Sequence, residues 1–541
     1  MPIARTGAAH KRLTLIACIM GSGIVLLDGT VVNVALPTIQ RALGGGLAAQ
    51  QWVVNGYLLT LSSLILVGGS LGDLFGERRI FALGVSGFGV ASLACAVSPT
   101  IGVLVGARAV QGVAGARLVP SSLAVIVNTF AEDERGAAIG SWTAWGAIAG
   151  VLGPLAGGEL LALGSWRWLF VINIPFAIVC VWLILFVVPR AAPRPAGGPD
   201  RRRVDVPGAL LCAAGLAGPV FALIEQPRLG WSSPAVIVPL VAGVALLGAF
   251  LWRESRARDP MLPLGLFRRR NFSAGNIETF SMYAGLAVLF FFLVLFLQQI
   301  GGYTPLQSGL ATLPVTVIMF VLSRRFGALA DRFGPRLFMG GGPLVAACGL
   351  LLFQRIGTSV DYVSEVLPGL LVFALGLSMT VAPLTAAVLA GAEPSQAGIA
   401  SGVNNAIARV AGLLGTAAVG AAVAGSFGSS LDAHLRDVTL GPAARAAVGQ
   451  AKRLPLGRPD VHGLVSAQAS ALTHAAEQAS LHSFHLGMAI AAGLVALGGA
   501  VGVAGIRNPQ RVVHAATCEG GALVGASPEA VTEVQPVGSS A

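Results

Sequence analysis

Residues Gly69–Arg79 read GSLGDLFGERR, and Gly327–Arg336 read GALADRFGPR. Both copies follow G-x-L-x-D-x-F-G, and each stands directly behind a long apolar run. A chain that twice places the same polar turn behind an equivalent apolar segment is built from two related halves. Paired halves around a central site are an architecture of transport. The first copy superficially resembles a phosphate-binding loop, but such a loop follows a strand, whereas a bilayer-length apolar run precedes this one. No Walker sequence occurs elsewhere in the chain, so nucleotide-driven work is excluded.

Outward from these turns, composition fixes the class. Of 541 residues, 55% are hydrophobic and 11% charged, and mean hydropathy is +0.78. A soluble chain of this length needs charged faces that are missing here. About 20 apolar residues suffice to span a bilayer, and runs of that length recur near 13–36, 51–72, 80–98, 101–126, 137–162, 169–188, 207–224, 234–252, 273–298, 306–328, 337–355, 362–390, 401–425 and 484–505. These fourteen spans predict an all-α integral membrane protein. The even number puts both termini on one side, and most of the 35 Lys and Arg residues share it, which predicts cytoplasmic termini. The same loop placement explains the net charge of +11 without nucleic acid. Six scattered cysteines form no C-x-x-C pair, and five histidines (His434, His462, His474, His482, His485) lie without a cysteine or carboxylate cluster, so no metal site is expected.

The repeat divides the spans. The turn follows span two and again span ten, giving six helices, an inserted pair, then six. The expected organisation is a first bundle over 1–188, the inserted pair with arginine-rich linkers over 189–271, a second bundle over 272–506 with a polar outer loop near 426–481, and a disordered cytoplasmic tail over 507–541.

Within the first span, LDGTVVNVALP (Leu27–Pro37) carries Asp28 and Asn33, not a small-residue cleavage site, so this run is expected to remain as a helix. A charge near the bilayer centre costs about 2.5–3.5 kcal/mol on insertion scales and needs a partner and a task. In span five, GSWTAWGAIAGVLGPLAGGEL sets Gly146, Gly150, Pro154 and Gly158 four residues apart, a ridge without bulky side chains that lets another helix approach.

Taken together, these segments are similar to those of the fourteen-helix drug:proton antiporter family of the major facilitator superfamily. The span-five spacing of Gly140, Ala149, Gly153-Pro154 and Gly157-Gly158 resembles that family's antiporter motif, and LDGTVVNVALP its first-helix signature. RAVQGVAGA (Arg108–Ala116, with Gln111 and Gly112), WRWLFVINIP (Trp166–Pro175) and GIASGVNNAIARVAGLLG (Gly398–Gly415, with Asn404 and Arg409) resemble its fourth, sixth and thirteenth helices.

The resemblance implies a major facilitator fold: two six-helix bundles, plus the inserted pair, rocking about a central cavity. It implies proton-driven export of hydrophobic drugs, with no cofactor beyond the proton gradient, and a monomer in the cell membrane. The repeated loops resemble its cytoplasmic gate, which holds the bundles together. Gly69, Gly72, Asp73, Gly76 and Arg78 match in the first copy, and Gly327, Asp331, Arg332, Gly334 and Arg336 in the second. Ser70, Leu74 and Glu77 replace usual basic residues, which shifts the expected gate weight to the second copy.

Three charged positions are expected to couple protons: Asp28, Arg108 and Glu278. Asp28 lies about eight residues, ~12 Å, from the outer end of its helix, and Arg108 lies at nearly that depth on helix four. Glu278 and Arg117 lie at comparable depth near the inner side, where contact between them is geometrically open. The expected cavity is apolar and aromatic and suits large, hydrophobic, cationic or neutral molecules. Arginine far outnumbers lysine (only Lys11 and Lys452), as in GC-rich genomes, which favours a natural-product antibiotic as substrate. An uptake symporter of the same superfamily and a membrane-embedded enzyme are the alternatives. The dispersed acids disfavour the enzyme.

Overall fold

The protein is described by a computed structural model over residues 8–189, 205–257, 260–390 and 397–508. Most of the arginine-rich linker after span six, Cys518 and the tail from 509 onward lie outside the described residues. Seventeen α-helices are described: α1 (Ala8–Leu43), α2 (Leu47–Phe75), α3 (Glu77–Ala96), α4 (Ile101–Gly115), α5 (Leu118–Thr129), α6 (Glu132–Ala162), α7 (Trp168–Val171), α8 (Asn173–Phe186), α9 (Val206–Leu229), α10 (Pro234–Arg256), α11 (Arg270–Gln299), α12 (Pro305–Phe333), α13 (Pro335–Leu352), α14 (Leu367–Ala390), α15 (Ala397–His434), α16 (Pro442–Ala451) and α17 (Ser466–Gly505). They supply fourteen spans long and apolar enough to cross a membrane, with α4 and α5 forming one broken span and α7 and α8 another. Helices satisfy their own backbone groups, which hydrocarbon requires. Large apolar side chains that would be a liability in water, such as Val90, Phe186 and Val238, point outward from the bundle.

Helices α1 to α8 pack into one half and α11 to α17 into another, joined along α6–α12, α2–α15 and α1–α11. The inserted helices α9 and α10 pack on each other through small residues: a Cβ on Gly218 would lie 2.7 Å from Gly243 Cα. Helix α9 also leans on α2 and α15, where Val220 and Ile224 meet Leu413 and Ala417. The inserted pair therefore attaches at a seam between the halves.

The repeated turns are structural equivalents. Gly76 (φ 91°) separates α2 from α3, and Gly334 (φ 85°) separates α12 from α13, both in the left-handed region that glycine enters freely. Two residues later, Arg78 Nε donates to Ile184 O at 2.9 Å and Arg336 Nε donates to Val503 O at 2.8 Å. Each arginine thus covers the bare carbonyls ending the last helix of its own half, where a cation also opposes the helix dipole. Both of these bonds stay within a half.

At the end of the bundle opposite residue 8, α15 and α17 run past the expected span ends, to His434 and from Ser466. The polar outer loop is correspondingly shorter. It carries α16 and turns inward at Leu456, a fully buried residue with φ 60° that packs in the main apolar core. Arg458 Nε donates to Gln299 O at 3.2 Å, and the carbonyl of Arg453 lies against Gly46, where a Cβ would collide with it. The loop therefore straddles the ends of both halves.

The small-residue ridge of α6 does not face one helix. Steps of four residues rotate about 40° each around a helix, so the line turns from one neighbour to another. A Cβ on Gly146 would meet Leu26 Cδ1 at 3.1 Å, one on Gly153 the Leu27 carbonyl at 3.2 Å, and one on Gly157 Val31 Cγ2 at 2.8 Å, all on α1. Gly158 instead faces Leu306 Cα at 2.5 Å, and the Pro154 carbonyl faces Gly309, both on α12 in the other half. Gly150 has no described atom within 4 Å of its Cβ position. Gly140 lies near the start of the same helix.

Two stability outcomes follow. Overpacking costs about 1–3 kcal/mol, so Gly157→Leu should lower the thermal midpoint of the purified protein by several degrees while Gly150→Leu leaves it nearly unchanged. A core Leu→Ala change costs about 2–5 kcal/mol, and a left-handed non-glycine residue holds about 1–2 kcal/mol of strain. Leu456→Gly should therefore melt no lower than Leu456→Ala, the reverse of the usual order.

Candidate functional site

Asp28 sits at the middle of α1 and is fully buried, as is Arg108 on α4. Arg108 Nη1 is ion-paired with Asp28 Oδ2. The other carboxylate oxygen, Oδ1, accepts from Gln111 Nε2 at 3.0 Å and from Asn173 Nδ2 at 3.2 Å. Both amides also donate to Ser92 Oγ, at 2.9 and 3.3 Å. Arg108 donates from Nη1 to Gln111 Oε1 at 2.7 Å and from Nε to Val53 O at 3.1 Å, and its guanidinium lies 4.2 Å from the Tyr57 ring centroid. Five helices, α1, α2, α3, α4 and α8, thus converge on one carboxylate. Sequence placed Asp28 and Arg108 opposite each other, and the structure brings them together.

The spacing explains the α4 side. Arg108 and Gln111 are three residues apart and share a face, and Gly112 lets α4 meet α2 at backbone distance, its Cβ position lying 3.1 Å from Leu61 N. Sequence reasoning did not single out Tyr57, Ser92 or Asn173. Only Asn173 left a signal, as the lone amide in the apolar run of WRWLFVINIP. Asn33, also on α1, has a buried Oδ1 with no hydrogen-bond partner among the described residues.

Glu278 on α11 is fully buried, and neither carboxylate oxygen has a hydrogen-bond partner among the described residues. It faces α17, where a Cβ on Gly502 would lie 3.0 Å from Oε2. Arg117 lies at the break between α4 and α5, against Gly68 and Gly84. The structure does not bring Glu278 and Arg117 together: one turns toward the last helix of its half, the other is wedged between α2 and α3. The opposite side of α11 carries a polar cluster, in which Asn404 Nδ2 donates to Asn276 Oδ1 at 3.1 Å and to Thr279 Oγ1 at 2.7 Å.

Arg409 lies on the seam between the halves. On α15, Gly402 faces Leu66 of α2, and Thr416 donates to Asn55 Oδ1 at 3.1 Å while its carbonyl accepts from Gln51 Nε2 at 2.6 Å. Arg409 stands seven residues from each, two turns either way, and so shares their face. It is partly exposed although α2, α9, α11 and α17 flank its helix, so it borders open space between the halves. Of the gate-motif residues, Gly69 approaches Pro120 and Gly72 approaches Glu77. Gly327 is buried within α12, and Asp73, Asp331 and Arg332 close α2 and α12.

Known proteins are similar to this chain in sequence and in fold. The chain is 38% identical over 429 residues to the puromycin resistance protein pur8 of Streptomyces alboniger, covering 78% of this chain and 83% of that one. It is 34% identical over 454 residues to the tetracenomycin C resistance and export protein of Streptomyces glaucescens, covering 81% of each. The fold is similar to the solved bacterial homolog of the human lysosomal transporter Spinster in its inward-facing, unoccupied conformation, with TM-score 0.62 and 16% identity over 93% of this chain and 100% of that one. Residues 18–416 match the Major Facilitator Superfamily. With its fourteen spans, repeated halves and resistance-protein relatives, this chain belongs to the Major Facilitator Superfamily.

Proposed function

We propose that the protein exports hydrophobic small molecules of the antibiotic class across the cytoplasmic membrane, in exchange for protons, by alternating access of its two halves. The observation that carries this reading is the Asp28–Arg108 pair, fully buried at mid-helix in a chain whose relatives are named for antibiotic resistance. A buried pair is weak evidence for stability, since apolar replacements often serve as well, so its presence at this depth points to work. The arginine-rich loops favour termini in the cytoplasm, and the chain works as a monomer with protons, lipid and its substrate as partners.

Protonation of Asp28 removes one charge from the pair and leaves Arg108 to the Gln111 side chain, the Val53 carbonyl and the Tyr57 ring. The five helices then hold together less tightly, which favours the rearrangement that returns the site to the cytoplasmic side. Release of the proton there restores the pair. Glu278 is the second acid of the cycle, held in the other half without a counter-charge among the described residues. The unit boundaries proposed are 1–188, 189–271 and 272–506.

Asp28→Asn keeps the shape of the side chain and removes its charge. In inverted vesicles it should abolish uncoupler-sensitive accumulation of a fluorescent substrate, with a loss of at least tenfold, while drug affinity without a gradient changes less than about threefold. Accumulation at the wild-type rate would transfer the coupling role away from Asp28. A drug-susceptibility panel in a pump-deficient host tests export itself, and no protection against any compound would remove the reading. Glu278→Gln should likewise lower the proton-driven rate, whereas an unchanged rate would confine Glu278 to packing.

A further inference from the structure

Resting on the proposed export site between the halves, we infer that Arg409 makes this protein select acidic substrates: hydrophobic molecules bearing a carboxylate, sulfonate or acidic phenol. The argument starts from charge accounting. No hydrogen bond or ion pair joins Arg409 to any described residue, and its Nε is buried without a partner. It shares a face of α15 with Gly402, which meets Leu66, and Thr416, which donates to Asn55 Oδ1, so it stands on the side of its helix that faces α2 of the first half. An arginine so placed, and partly exposed, is a cation without a counter-charge among the described residues.

Nearby acids do not cancel it. Asp28 is already neutralised by Arg108 and saturated by Gln111 and Asn173. Glu278 faces α17 on the far side of α11. Glu225 on α9 accepts from Trp52 Nε1 at 3.0 Å and pairs with Arg228 at 3.0 Å. The seam therefore carries positive charge at Arg409. An organic cation entering it would meet repulsion in a low-dielectric setting, whereas an anion would supply the missing partner. A guanidinium binds a carboxylate or sulfonate through paired N–H donors, a geometry that an ammonium does not reproduce.

Binding of two dyes that share a xanthene ring tests this, with purified full-length protein in nanodiscs and no gradient. Fluorescein is anionic and rhodamine 123 is cationic. Wild type should bind fluorescein at least tenfold more tightly, and Arg409→Gln should reduce that ratio at least tenfold. Arg409→Lys, which keeps the charge and loses the fork, should fall between them. Equal or tighter binding of rhodamine 123 by the wild type would overturn the inference without reference to any variant, as would an unchanged ratio in Arg409→Gln. An intact preference supports the assignment even if the drug-susceptibility panel shows no protection against any compound, an outcome that would remove the export reading alone.

Discussion

A charge cannot stand alone in hydrocarbon, and the first half of this protein is organised around that constraint. Asp28 brings a carboxylate to the middle of a membrane helix, and four other helices supply what it needs. Helix α4 gives Arg108 and Gln111, α8 gives Asn173, α3 gives Ser92 to orient both amides, and α2 gives the Val53 carbonyl and the Tyr57 ring to hold the guanidinium. Each group is useful only if the others are in register. The network therefore fixes the relative depth and rotation of five helices more sharply than apolar packing could, because apolar contacts between helices in lipid are nearly interchangeable with contacts to lipid.

The second half answers the same constraint differently. Among the described residues its buried acid, Glu278, has no hydrogen-bond partner, and Arg409, at the boundary with the first half, has no counter-charge. Related folds thus carry unequal electrostatics: a closed pair in one half, and an isolated acid and an isolated base in the other.

Close approach of backbones is the second physical theme. Glycines at 146, 153 and 157 seat α6 on α1, and Gly158 with Gly309 brings α6 against α12 across the seam. One helix thereby belongs to the core of its own half and to the interface with the other. The buried Leu456 loop adds a contact across the opposite ends of the halves.

Much of this was legible in the sequence. Apolar run length gave the fourteen spans, because bilayer thickness and helix rise together set one length. The G-x-L-x-D-x-F-G repeat marked equivalent halves, because only glycine enters the left-handed turn at Gly76 and Gly334 without strain. Asp28 and Arg108 were identifiable as partners because two antiparallel helices place them at one depth. Other features depended on rotation about the helix axis, which neither run length nor depth specifies. Rotation turned Glu278 toward α17 and away from Arg117, and split the α6 ridge between α1 and α12. It sent Arg78 and Arg336 to carbonyls of their own halves and aimed Ser92, Tyr57 and Asn173 at one carboxylate. Sequence determined which residues cross the membrane and at what depth, because those follow from the chain alone. Only tertiary packing decided which way each residue faces, because that orientation is set by neighbours distant in the chain.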